Sequence, residues 1–529
     1  MSRFNLSRAA VFTAALLFTP LLAGADTLLR RGNGAEPQSL DIHAVQGVPE
    51  AHLLRDLYEG LVTEAADGTH IPGAAESWTI SDDGRTYTFQ LRVNGKWSNG
   101  DAVTAHDFVF AFQRGMTPAT ASPYAFLMYP IKNAQAVTRG EQVPEALGVR
   151  AIDARTLGIT LERPTPYFLG QLTHYFAYPL HKATVESVTR GWTKPGNLIS
   201  NGAYVLAEWV PQSHITLSKN PHFHDTGNVE IDTVRYVPTE DASAELKRYR
   251  ANELDMTATV PLESFQWAEK NLPDELRKSP SLGVYYYALN TTLPKFADVR
   301  VRRALAMAIH REIITDKITR AGESPAYGWV PPGTSGYDKP ARATWAKLSR
   351  SERVTEAKRL MAEAGYGPDK PLQIELLYNT SEGHKKLAIA IAAMWKALGV
   401  KVTLRNEEWK VYLASRNLGK FEVSRAGWIG DYNDPYTFLE ILRGDAGLIN
   451  ATGYANAEYD SLLDQSANAL EPNERANLMR KAEQKMLEDL PVIPVYFYVS
   501  RALVKPYVSG WEPNIMGVHP SRWIKITPR

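Results

Sequence analysis

The sequence predicts an α/β protein of several mixed sheets, divided into two or three lobes. Three observations predict it. At 529 residues the chain exceeds what one hydrophobic core normally supports. Helical and strand periodicities alternate irregularly along its length. No internal repeat or low-complexity linker separates the segments, so crossing strands, not tethers, are expected to join the lobes.

The N-terminus reads as an export signal. Arg3 and Arg8 precede the apolar run Ala9 to Leu22, and Ala23-Gly24-Ala25 supplies small residues for cleavage after Ala25. Pro20 interrupts the run, which is too short to span about 30 Å of hydrocarbon. The chain contains no cysteine, so an N-terminal lipid anchor, disulfides and thiolate metal sites are excluded. A free exported protein stays with its cell in a Gram-negative periplasm, the expected location. Cleavage takes 25 of the 529 residues and leaves 504, and the loss of two arginines moves the net charge from +1 to −1. That balance argues against nucleic acid as a partner.

The elements follow in order. Thr27 to Gly32 alternates as a first strand, and Glu50 to Leu61 has helical spacing with Leu53, Leu54, Leu57 and Leu61 on one side. Trp78 to Ile80 and Thr86 to Arg92 read as strands joined by the turn Ser81-Asp82-Asp83-Gly84. Thr104 caps a helix from Ala105 to about Arg114. Arg155 to Leu161, Ala203 to Val210, Ile215 to Lys219 and Ile231 to Val237 are further strands. Asp298 caps a helix over Val299 to His310, and Ser351 is expected to start another over Glu352 to Ala364, closed by Gly365. Leu372 to Tyr378 and Val400 to Asn406 are strands flanking a helix over His384 to Leu398. Glu474 to Leu490 is a late amphipathic helix, and Val492 to Val504 a late strand region.

Catalytic signatures are absent: there is no G-x-S-x-G, H-E-x-x-H, Walker loop or G-x-G-x-x-G. Gly333-Thr334-Ser335-Gly336 follows two prolines and reads as a turn. His222-Phe223-His224-Asp225 offers two imidazoles and a carboxylate to a metal, against the plainer reading of an exposed loop. Asp431 and Asp434 have the makings of a glycosidase pair, but Asp434-Pro435 matches a helix cap with a first-turn proline, which makes Asp434 structural. An enzyme, such as a periplasmic hydrolase, is therefore the weaker class, and no cofactor is called for.

Binding signals are stronger. The chain holds 12 Trp and 25 Tyr, several of them in the apolar strands Val284 to Asn290 and Val495 to Val499. Amphipathic rings suit ligand clefts, though most such residues pack cores. Phe421 to Pro435 reads as strand, tight turn and capped helix. Gly427 and Gly430 permit close backbone approach, and Asp431 sits where the strand ends, a usual place for ligand contacts.

Six stretches carry a family pattern in its order: Glu36 to Asp41, Asp56 to Leu61, Lys96 to Gly100, Asn201 to Tyr204, Asp298 to Leu305 and Arg425 to Pro435. With them the mature chain resembles the oligopeptide-binding receptors of ABC importers, solute-binding family 5, which has dipeptide-, murein-peptide- and nickel-binding relatives. The resemblance implies a bilobal periplasmic-binding-protein fold of three subdomains with the ligand cleft between lobes. The first would take 26–58, 184–282 and 500–529, the second 59–183, and the third 283–499, with two crossing strands as the hinge. It implies a monomer that closes on an extended peptide and presents it to an inner-membrane permease.

The resemblance also assigns roles. Asp431 matches the aspartate that receives the peptide ammonium, a charge whose burial demands a carboxylate partner. Gly427 and Ile429 would pair with peptide backbone on one side and Val48 on the other. Arg416, His384 and Lys317 match cationic positions for the C-terminal carboxylate. Trp409, Trp428 and Tyr124 match cleft walls. Arg425 is expected to brace the Asp431 region through a buried ion pair more than to touch ligand. Gln46 and Ala288 stand where general oligopeptide receptors carry acids, which implies a cleft less attractive to cations. The neutral Ala288 and Trp428 to Asn433 also resemble the murein-peptide branch. His310 replaces an aspartate in a helix turn, a structural change. Two ligand readings stay open, general peptide and murein peptide; metal or haem uptake, suggested by His222 and His224, is a different binding class.

Overall fold

The computed structural model describes residues 26–188, 191–469 and 471–527; the expected signal peptide lies outside them. Three larger sheets divide the chain. Strands Leu28–Gly32, Thr233–Val237, His214–Lys219 and Tyr204–Val210 form a four-stranded mixed sheet in that spatial order. Ala75–Ile80, Thr86–Leu91, Thr156–Thr160 and Val149–Ala151 form an antiparallel one. The third has six strands in the order Ser324–Pro325, Val492–Leu503, Leu276–Leu289, Val423–Ile429, Gln373–Asn379 and Lys401–Glu407. The first two sheets make one lobe and the third the other.

Two long strands pass between the lobes. Leu276–Leu289 and Val492–Leu503 pair antiparallel, with the register shifting between Pro280 and Val284. One end of the pair meets the first lobe, where Leu503 N–H donates to Thr257 Oγ1 at 2.9 Å. The other end lies in the six-stranded sheet, where Tyr285 and Tyr287 are fully buried. A ladder that loses register at a proline is a natural place to bend.

Local chemistry accounts for the helices. Thr104 and Asp107 form a reciprocal capping box at Ala105–Met116. Asp298 accepts Arg300 N–H at 2.8 Å at the start of Val299–Ala308. The helix expected from Ser351 begins earlier: Ser349 caps Arg350–Glu363 and shares a capping box with Glu352. The S-x-x-E spacing carries that signal, and Ser351 lies inside the helix. His310 accepts Ile313 N–H through Nδ1 at 3.2 Å, a capping role.

Candidate functional site

A cavity of about 570 Å³ lies between the lobes, lined from both. Asp431 stands in its wall, just past the end of the strand Val423–Ile429. Its N–H donates to Thr437 Oγ1 at 3.0 Å. The carboxylate has little company. Oδ2 is buried with no hydrogen-bond partner among the described residues, and His174 Nε2 approaches Oδ1 only to 3.7 Å. Burial pushes the Asp431 carboxyl up to about 7, opposed by the Arg55 guanidinium. Burial, and Arg55 after it, hold His174 neutral. A buried carboxylate oxygen without a donor is costly unless something else supplies a positive charge.

The strand leading to Asp431 has one edge open. It pairs fully with Leu276–Leu289 from Ile429 to Val423, but its other neighbour, Gln373–Asn379, contacts it only at Val423 and Ser424. Gly430 N–H donates to Leu282 O at 2.7 Å. Strand alternation therefore turns the N–H and C=O groups of Gly427 and Ile429 to the opposite edge, into the cavity. Gly427 makes room for the Tyr498 ring beside that edge: an added Cβ would stand 2.6 Å from the Tyr498 hydroxyl.

Cations gather where the open edge begins. Arg425 donates to Asn379 Oδ1 at 3.2 Å and to Tyr498 OH at 2.9 Å, lies 4.7 Å from the Tyr285 ring centroid, and keeps Nε buried without an acceptor. Arg416 lines the same region beside Tyr412, its Nε likewise without an acceptor. No carboxylate pairs with either guanidinium among the described residues.

Several expected site residues do line the cavity: Gln46, Val48, Tyr124, Trp409, Trp428 and Ile429. Val48 is the first residue of the helix Val48–Leu57, where an N–H has no intrahelical acceptor. Gln46 Nε2 donates to Asn417 Oδ1 at 3.2 Å, a bond from one lobe to the other. Trp409 also crosses the cleft. Its ring comes within 2.9 Å of where a Cβ on Gly47 would lie, and Gly47 has φ +125°. Trp428 Nε1 donates to Thr437 O at 2.9 Å, which fixes its indole in the wall.

Other expectations are corrected. Arg425 does not pair with Asp431: the two are six residues apart along extended backbone, about 20 Å, too far for an ion pair. His384 lines the cavity, but burial and the neighbouring Arg425 hold its pKa well below the usual value, so it is a neutral hydrogen-bonding group and not a cation. Lys317 is exposed on the π-helical turn Ile314–Thr319 and is not part of the cavity wall. Ala288 is buried between Ser424 and Val492 in the sheet and does not face the cavity. Asp434 is structural, as expected: it accepts Tyr436 N–H at 2.9 Å and takes two bonds from Arg475, both 2.8 Å. His224 is held by Glu59 at 2.7 Å, and Glu59 also takes Arg522. No group of three or more His, Cys, Asp or Glu suited to a metal occurs among the described residues.

Sequence reasoning missed His174, Tyr175, Arg55 and Tyr498 as cavity residues. Tyr498 lay in a strand already marked as aromatic. The others had no local signal, because their place depends on closure of one lobe over the other.

Together these features define a bilobal solute-binding protein that encloses its ligand between two lobes. Residues 69–449 match the model of the bacterial extracellular solute-binding proteins, family 5. The chain is 44% identical over 494 residues to the Escherichia coli periplasmic oligopeptide-binding protein OppA, covering 93% of this chain and 90% of that one. It is 43% identical over 482 residues to the E. coli periplasmic murein peptide-binding protein MppA, with 90% and 89% covered. It is 39% identical over 489 residues to the probable deoxycholate-binding periplasmic protein YgiS of E. coli, with 92% and 90% covered. The chain belongs to family 5 of the bacterial extracellular solute-binding proteins.

Solved structures add the state of the cleft. The E. coli MppA structure superposes with a TM-score of 0.93 at 42% identity, covering 96% of this chain and 99% of that one. The unliganded open form of MppA, at the same identity and with 95% and 98% covered, gives only 0.66. The lobes of this chain are set as in the former and not as in the open form.

Proposed function

We propose that this protein captures short peptides in extended form in the periplasm and delivers them to an ABC importer. One observation carries the reading: the buried Asp431 carboxylate, without a hydrogen-bond partner among the described residues, ends an open strand edge that begins among guanidinium groups with no carboxylate partner among them. A peptide lying along that edge answers each feature. Its ammonium meets Asp431, its backbone pairs with Gly427 and Ile429, and its C-terminal carboxylate meets Arg425 or Arg416, with neutral His384 as an added donor. This is strand addition, with affinity from main-chain bonds and limited side-chain selection. The names of the relatives OppA and MppA support it. Arg425 thus becomes a ligand residue in place of a brace.

The partition of the sheets supports subdomain boundaries of 26–58, 184–282 and 500–529 for the first, 59–183 for the second and 283–499 for the third, with the two long strands as hinge. A cleavable signal ending at Ala25 and the lack of cysteine support release without a lipid anchor; the protein works as a monomer, and its work is binding, not catalysis. A murein peptide is the second reading, favoured by the neutral Gln46 in the wall and by the likeness to MppA.

Titration calorimetry tests the reading with free tripeptides, their N-acetylated forms, a murein tripeptide, deoxycholate and nickel. Heat from free tripeptides and little from N-acetylated ones is expected. Heat from nickel or deoxycholate alone would overturn the reading.

A further inference from the structure

The Asp431 carboxylate makes no hydrogen bond to the protein among the described residues, so its own side chain does not hold it in place. Its neighbour in the chain is held firmly. The Tyr432 ring stacks on Tyr167 with centroids 5.3 Å apart and planes 5° from parallel, and its hydroxyl donates to Glu440 Oε1 at 2.6 Å. Tyr167 also stacks on Tyr436, at 5.1 Å and 24°, and the Arg475 guanidinium lies 4.9 Å from the Tyr167 centroid while pairing with Asp434. Gly170, one turn beyond Tyr167, makes room: a Cβ there would stand 3.0 Å from Tyr432 Cβ.

Tyr167 belongs to the lobe opposite Tyr432, Tyr436 and Arg475, and it lies outside the cavity wall. It therefore fixes the segment that carries Asp431 only when the lobes are together. We infer that Tyr167 is a positioning residue for the ammonium anchor: by clamping Tyr432 across the closed cleft it sets the Asp431 carboxylate against the ligand's amino group. An anchor without hydrogen bonds of its own needs such outside support, because a misplaced carboxylate loses the short contact that gives a buried ion pair its strength.

The inference rests on the reading of Asp431 as the ammonium partner, and the experiment separates the two. Affinities of a free tripeptide and its N-acetylated form are measured by calorimetry for the intact protein and for Tyr167→Ala. The free peptide is expected to weaken about tenfold and the acetylated one by less than about twofold. In an Asp431→Asn background, Tyr167→Ala is expected to change affinity by less than about twofold. Tyr167→Phe, which keeps the ring, restores tight binding. If Tyr167→Ala fails to fold, Tyr167→Leu carries the same expectation. Equal weakening of both peptides, or no weakening, would overturn the positioning role. If the intact protein binds both peptides equally well, the ammonium reading of Asp431 has failed instead, whatever the Tyr167 variants do.

Discussion

Asp431 and Arg425 stand at opposite ends of one open strand edge, and each keeps a buried polar atom without a partner among the described residues. Six residues of extended chain, about 20 Å, prevent them from neutralising each other. The cavity thus has a negative and a positive end with backbone donors and acceptors between, the polarity of an extended peptide.

Removing the negative end tests the orientation. Asp431→Asn should cost a free tripeptide about 3 kcal/mol, roughly two decades of affinity, by leaving the ammonium buried without a counter-charge. N-acetylation of the peptide should cost the intact protein a similar amount in calorimetry. Unchanged affinity in both cases would make Asp431 a turn residue.

The same carboxylate should cost the empty protein stability. With Asp431 held near 7 against about 3.9 unfolded, the native state binds the extra proton between those values. Its contribution to stability is therefore fully present below about pH 4 and is lost as pH rises through 7. Asp431→Asn should raise the thermal midpoint of the ligand-free protein at pH 8 and leave it nearly unchanged at pH 4. Scanning calorimetry at the two pH values decides; a lower midpoint at pH 8 contradicts the burial argument.

Ligand binding should release a proton. An ammonium beside Asp431 favours its charged form, so the peptide must displace a proton from sites that hold one below about pH 7. Tripeptide affinity should fall as pH drops from 8 to 5, and the binding heat should vary with the ionisation enthalpy of the buffer. Glu50, a second carboxyl that burial raises to about 7, lies behind the cavity wall in the helix Val48–Leu57, so Glu50→Gln is the control. A pH dependence that survives Asp431→Asn and disappears in Glu50→Gln would move the proton to Glu50.

At the other end, amidation of the peptide's C-terminus should weaken binding to the intact protein, by about tenfold for a lost charge-assisted pair. That difference should shrink in Arg425→Gln for one peptide length and in Arg416→Gln for another. Tri-, tetra- and pentapeptide series identify which guanidinium serves which length. Insensitivity of every length to amidation would reject a cationic end.

Gly427→Ala should displace the Tyr498 hydroxyl, which stands 2.6 Å from the new Cβ and donates no room to it. Since that hydroxyl accepts from Arg425 at 2.9 Å, both the strand edge and the cationic end shift together. A loss of tripeptide affinity of at least tenfold is expected with little change in thermal midpoint; wild-type affinity would exclude pairing at this edge.

Much of this protein was legible along the chain. Periodicity and capping residues such as Thr104 and Asp298 located most elements, because those signals are local and near neighbours satisfy them. The strand, turn and capped helix around Asp431 were readable for the same reason, as was the structural role of Asp434. The start at Ser349 was misplaced to Ser351, although the local S-x-x-E pattern marks it.

Tertiary structure decided what depends on distance across the cleft. It separated Arg425 from Asp431, left Lys317 outside the cavity and removed Ala288 from its wall. It made His384 neutral through burial beside Arg425, and it brought Tyr167 onto Tyr432 from the other lobe. The sequence by itself determined the elements and singled out the carboxylate proposed as the anchor. Closure determined that carboxylate's surroundings, because burial, field and contact belong to the space between two lobes and not to either stretch of chain.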